Sequence, residues 1–357
     1  MERIQKANQT MQRHSCSMCG SRVYFDNRTC LTCGSSVGFW PRTMRMEAVE
    51  QLPGNVSLYR RVGAPKTGAV RFCDNEKHGV CNWLTSPDDG NGLCAACDLN
   101  RVIPNLSELD GLAKWAEFER AKKRLVYGLM RFGLPLDTGN PTNGRLAFDF
   151  ARDVVTGHLD GVISVDMAEA DAVERPRQRQ QFSEPYRSLL GHLRHESGHF
   201  YWTVLIDEGN KHEEFRRLFG DERANYQAAL QHHYASGPPQ DWPKHYVSAY
   251  ASMHPWEDWA ETWAHYLHMV ETLDTAQAEG MEPGSANFSL GGIWPFKRYD
   301  VYREESFSSL MDHWVPLTIA MNSINRSMGH EDFYPFVIPA AAYGKLAFIH
   351  QVIRRRQ

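Results

Sequence analysis

HLRHESGHFYW, residues 192–202, is the stretch on which the reading of this chain turns. It carries an H-E-x-x-H pattern at His195, Glu196 and His199, inside a segment of helical periodicity that runs from FSEPYRSLL through WTVLI. Residues i and i+4 share a helix face, so both imidazoles can reach one metal ion. Glu196 sits one residue on, where it can take a proton from an attacking water as general base. The bland alternative is a helix that merely contains two histidines. Ser183 is a candidate N-cap for this helix, with Pro185 in its first turn.

A catalytic zinc needs a third protein ligand and an open position. HPWEDWAETWAHYLHMVETLDTAQ, residues 254–277, is the second strong helix, with Pro255 near its first position. Glu257 and Glu261 stand at i and i+4. Glu257 is the candidate ligand. Glu261, one turn on, is placed to accept the proton of a ligating imidazole and so fix the ring's orientation and tautomer. The reverse assignment, Glu261 as ligand and Glu257 outside, stays open at this point. Asp258 reads as part of a solvated acidic face. Trp256, Trp259 and Trp263 mark the side expected to be buried, and His265 and His268 stay outside the ligand set. Hydrolysis also needs a donor for the developing oxyanion. His254, Tyr250 and Tyr246 precede the helix and are candidates. His192, one turn before His195, reads as a neighbour rather than a ligand.

The eight cysteines all lie between Cys16 and Cys97. CSMCG and CLTCG are C-x-x-C-G knuckles holding Cys16, Cys19, Cys30 and Cys33. Gly20 and Gly34 follow where the turn wants a positive φ. Two knuckles supply the four thiolates of a closed structural zinc, and the intervening RVYF strand makes this a zinc ribbon. Cys73, Cys81, Cys94 and Cys97 are left for a second structural zinc, with His78 read as a loop histidine. A module of this size buries little core, and metal supplies the missing folding energy.

The chain as a whole is ordinary for a soluble globular protein: 357 residues, 42% hydrophobic and 23% charged, with a net charge of −4. No apolar run is long enough to span a membrane. The N-terminus has no apolar h-region, so the expected compartment is the cytoplasm. Charge is uneven. Residues 1–70 hold 10 Lys and Arg against 4 Asp and Glu. A basic head on an acidic body admits contact with nucleic acid or an acidic protein, although a solvated basic arm is the plainer reading. Asn105–Ser107 looks like a helix start, and LAFDFARD and DGVISVDM read as extended segments. GSANFSLGGIWPF reads as loop, and the tail from Ser306 as two helices around NRSMGHEDFYPF. The expected fold is mainly α with a small β element: an α+β domain preceded by a zinc-ribbon module. The expected boundaries are 14–100 for a double ribbon, 101–279 for the main domain and 280–357 for a helical extension packed on it.

HLRHESGHFYW followed by SAYASMHPWEDWAETWAHYLH, with the cysteine motifs and NRSMGHEDFYPF, resembles the bacterial zinc-binding metallopeptidases that carry an N-terminal zinc-ribbon domain. The resemblance covers nearly the whole chain. It implies a zincin-type peptidase and names no substrate. Together with the cysteine sets, the expected metals are one catalytic and two structural zinc ions, the expected substrate is a peptide or protein, and the ribbons are expected to be a partner- or substrate-recognition module. In zincins whose third ligand is glutamate, the second helix carries E-x-x-A-[DE]. EDWAE matches at Glu257, Ala260 and Glu261, which supports Glu257 as ligand. By the same analogy Val162–Asp166 would be the edge strand that pairs with substrate backbone. Two other readings compete. One is a nucleic-acid- or protein-binding regulator whose peptidase-like domain is inactive or regulatory. The other is a zinc hydrolase acting on a non-peptide amide.

Overall fold

The computed structural model describes residues 14–64, 68–170, 188–281 and 300–356. The proposed cap at Ser183 and Pro185, and the GSANFSLGGIWPF segment, lie outside them. The chain folds as two compact units, one of residues 1–131 and 146–190, the other of 132–145 and 191–357.

The first unit begins with a two-stranded ladder, β1 (His14–Ser15) with β2 (Arg22–Val23). A three-stranded antiparallel meander follows: β3 (Ser36–Trp40), β4 (Arg45–Leu52) and β5 (Asn55–Arg61). β6 (Arg71–Phe72) pairs with β7 (Leu84–Thr85). Such short strands bury little, and an aromatic cluster compensates. Phe25 and Phe39 meet at 5.0 Å, Phe39 and Trp83 at 4.6 Å, and Tyr127 of helix α1 (Gly111–Arg131) completes the group 5.4 Å from Phe25.

α1 starts later than Asn105–Ser107 suggests. Asn105 instead turns the chain, its Oδ1 accepting from the Ser107 amide at 3.1 Å. The first helical bond runs from the Lys114 amide to the Asp110 carbonyl at 2.9 Å. A local side-chain bond has outcompeted the helix there.

The fourth sheet of this unit has the order β10 (Gly157–Leu159), β11 (Val162–Asp166), β9 (Ala147–Ala151), β8 (Asn100–Val102). Both extended segments are thus strands, but Val162–Asp166 is not an edge. β10 covers one side antiparallel and β9 the other in parallel, so its ladder groups are already paired. The outer strands of this sheet are β10 and β8.

The second unit is helical: α2 (Leu189–Trp202, entering this unit at Gly191), α3 (His212–Phe219), α4 (Tyr226–Ser236), α5 (Pro255–Ala278), α6 (Phe307–Ser327) and α7 (Ala340–Arg354). α5 is buried along its length and on every side, as a central helix must be. Phe219 of α3 and Phe348 of α7 pack on Trp259 at 5.7 and 6.4 Å. Trp259 and Trp263 are fully buried, while Trp256 is only half-buried. Among the described residues no helix is long and apolar enough to cross a membrane.

Candidate active site

α2 and α5 meet almost backbone to backbone. A Cβ on Gly198 would lie 2.9 Å from the Ala260 Cα and 3.1 Å from Trp263 Cδ1. Only glycine fits there. The crossing is stitched by indole donors. Trp259 Nε1 donates to the Gly198 carbonyl at 2.8 Å, and Trp263 Nε1 to Ser197 Oγ at 3.1 Å. Gly198 and Ala260 each lie between functional residues of their helices, so the contact brings those residues together.

One donor atom each from His195, His199 and Glu257 lies within 4.8 Å of the others, and all three residues are buried. His195 Nε2 faces Glu257 Oε2 at 3.0 Å, and its Nδ1 faces Glu261 Oε1 at 2.6 Å. His199 Nε2 lies 3.5 Å from Glu257 Oε1. Ser248 Oγ donates to the other Glu261 oxygen at 2.6 Å. Glu257 is therefore in front of both imidazoles and Glu261 behind one. Burial pushes the His195 ring down, but the two carboxylates outweigh it and raise it well above the ordinary imidazole value. A buried pocket holding Glu257, Glu261 and Glu196 calls for positive charge. Two imidazoles and a carboxylate are a zinc-type donor set, and the Glu261 bond leaves His195 Nε2 as the nitrogen to offer.

Glu196 is also buried. Burial pushes its carboxyl up. The hydrogen bond from His192 and the charges of His195 and His199 outweigh that and bring it to about 2, so it stands ionised. His192 Nε2 lies 3.2 Å from Glu196 Oε1. The neighbour of the motif is thus a partner of the carboxylate.

Of the candidate oxyanion donors, His254 is committed elsewhere. Its Nδ1 accepts from the Trp256 amide at 3.1 Å as the N-cap of α5, and its Nε2 donates to the Ala224 carbonyl at 3.0 Å. Tyr250 lies with its ring 6.0 Å from that of His195. Tyr246 stacks under Lys345, whose Nζ is 4.3 Å from the ring centroid. Asp258 departs from the solvated face expected of it. It is fully buried and paired with Lys345 at 2.5 Å. Trp256 leaves the core to lie over His199 at 4.6 Å. His265 binds the Tyr334 hydroxyl at 2.7 Å, and His268 binds Arg194.

Sequence reasoning missed Tyr226. Its hydroxyl donates to Glu257 Oε1 at 3.0 Å. Burial, then the Glu257 charge, raises its phenol, so it remains a donor. The only local signal is Asn225, whose Oδ1 caps α4 by accepting from the Ala228 amide at 2.9 Å.

The ribbon cysteines gather as two four-thiol groups, Cys16, Cys19, Cys30, Cys33 and Cys73, Cys81, Cys94, Cys97. The two knuckles of the first repeat one turn. The Gly20 amide bonds the Cys16 carbonyl at 2.8 Å and the Gly34 amide the Cys30 carbonyl at 2.9 Å, with φ of +76° and +74° at the glycines. In the second, backbone amides of Trp83 and Cys94 point at the sulfurs of Cys81 and Cys73, each at 3.4 Å. His78 packs on Trp115 at 5.6 Å. Arg28, Arg60 and Arg71 of this module are each paired with a carboxylate, of Glu76, Glu50 and Asp74.

The family described as "Putative zinc-binding metallo-peptidase" matches residues 111–352, and a zinc-ribbon domain matches residues 13–108. Uncharacterized proteins of Mycobacterium bovis and of Mycobacterium tuberculosis are 41% identical over 349 residues, which is 96% of this chain and 95% of theirs. No solved structure matches. Matched from residue 111 to residue 352, the chain belongs to this zinc-binding metallopeptidase family and carries a zinc ribbon ahead of it.

Proposed function

We propose that the protein is a zinc-dependent peptidase of the zincin type. The observation that carries this is the meeting of His195, His199 and Glu257 donors within 4.8 Å, beside the buried Glu196 on the same helix. Those three residues would hold a catalytic zinc, with Glu261 fixing the His195 tautomer. Bound zinc supplies Lewis acidity, acidifying water and polarising the scissile carbonyl. Glu196 takes the proton from the attacking water and passes it to the leaving amine. His192 holds Glu196 from the turn before. Tyr250 is the oxyanion donor, since both ring nitrogens of His254 are in use. The substrate is a peptide or protein. The two four-cysteine groups hold structural zinc, and the module they stabilise recognises substrate or partner.

Metal content per chain tests this, by mass spectrometry on protein purified without added metal, beside His195→Ala. The proposal expects about three zinc in wild type and about two in the variant. About two in both would remove the active-site metal and overturn it.

A further inference from the structure

Each ligand side chain in a metal site needs something to hold its unbound side. For His195 that is Glu261. For Glu257 the corresponding group is Tyr226, which arrives from another helix. Tyr226 is fixed from several directions. Its ring meets His254 edge-on at 5.2 Å and Trp256 at 6.3 Å. Two residues earlier, the Ala224 carbonyl accepts from His254 Nε2 at 3.0 Å, tying the start of α4 to the start of α5. The phenol oxygen is thus locked in place before it reaches Glu257.

We propose that Tyr226 is a positioning residue for the active-site metal: its hydroxyl pins the Glu257 carboxylate in the orientation that faces His195 and His199. A glutamate side chain has three rotatable bonds. Left unpinned, its ordering would fall on the metal-binding step, and affinity would drop. The inference rests on His195, His199 and Glu257 being a zinc site. It adds a residue that neither the H-E-x-x-H helix nor the E-x-x-A-E helix contains.

Tyr226→Phe tests it, because it removes one oxygen and keeps the ring against His254 and Trp256. Zinc occupancy is followed against a chelator series, with Tyr234→Phe, an exposed tyrosine of the same helix, as control. Tyr226→Phe should weaken zinc at the active site by about 10- to 100-fold, while both ribbon ions stay and Tyr234→Phe matches wild type. The same substitution is then made in a Glu257→Ala background. If Tyr226 acts through Glu257, it should cause no further loss there. Unchanged zinc affinity in Tyr226→Phe would overturn the inference, as would an equal loss in both backgrounds, which marks a merely structural residue. A wild type lacking the third zinc fails before the variant is compared, and takes the zinc-site reading down with it.

Discussion

His195 has a different carboxylate at each ring nitrogen, Glu257 at Nε2 and Glu261 at Nδ1. That asymmetry divides the two acids of EDWAE into a front and a back. Glu196, one residue along, turns to His192 instead. The three carboxylates therefore do different things although they sit close together in one buried pocket. If Glu196 is the base and holds no metal, Glu196→Gln removes proton transfer and leaves binding intact. Turnover should fall by about 10²–10⁴-fold, the usual contribution of general acid–base catalysis, with zinc per chain unchanged. Hydrolysis of a fluorogenic peptide pool, read beside metal content, checks it. A Gln variant as active as wild type would sink the mechanism.

Two helices make the site, and their spacing is set at Gly198 and Ala260. Nothing larger than hydrogen fits on Gly198, because the Ala260 Cα would be 2.9 Å from an added Cβ. The indoles of Trp259 and Trp263 hold the crossing from α5, donating to groups on α2. Gly198→Ala must therefore push the helices apart. Overpacking of this kind costs about 1–3 kcal/mol. The shift also falls between His195 and His199 on one side and Glu257 and Glu261 on the other. The variant should unfold at lower denaturant and lose active-site zinc while keeping the ribbon ions. If zinc and the denaturation midpoint both stayed at wild-type values, the crossing would not be the element that sets the site. The indoles also show why a tryptophan-rich helix reads only partly from its spacing. Periodicity predicts burial for all three tryptophans. Trp259 and Trp263 are buried, and Trp256, in the first turn, lies over His199 instead.

Across the whole molecule, several histidines are held neutral. Burial lowers His14, His265 and His350 to about 4; Arg45 and Arg131 add to this at His14, Arg354 adds at His350, and Glu261 opposes it at His265. For His350 the hydrogen bonds fit the neutral ring. Nε2 donates to the Glu305 carbonyl at 3.1 Å, and Nδ1 faces the Tyr266 hydroxyl at 3.0 Å. The folded value lies below the unfolded 6.5, so unfolding takes up a proton. The stability this contributes is complete above pH 6.5 and is lost as pH falls from 6.5 towards 4. Each such site adds up to about 1.4 kcal/mol per pH unit in that window. Denaturant unfolding at pH 7 and pH 5 should show a steep loss, and His350→Asn should make it shallower by about one proton. An identical slope in the variant would remove His350 from the account.

What the sequence determines here is local. The i, i+4 spacing of His195 and His199 lies on one helix, as does that of Glu257 and Glu261. The C-x-x-C-G turns close within five residues, and Gly20 and Gly34 take the positive φ such turns need. Helix periodicity, caps and turn glycines act over a few residues, so one chain displays them. The family resemblance is legible for the same reason, because it is carried by these short motifs. Tertiary structure decided whatever depends on distant segments. It set Glu257 before both imidazoles by packing α5 against α2 at Gly198 and Ala260. It buried Asp258 against Lys345, 87 residues away, where local pattern suggested a wet face. It placed β10 outside β11, turning an expected edge strand into an interior one. It delivered Tyr226 to Glu257 from a separate helix. No residue spacing encodes these four outcomes. Each follows from burying helices and strands against one another, which is settled only when the whole chain packs.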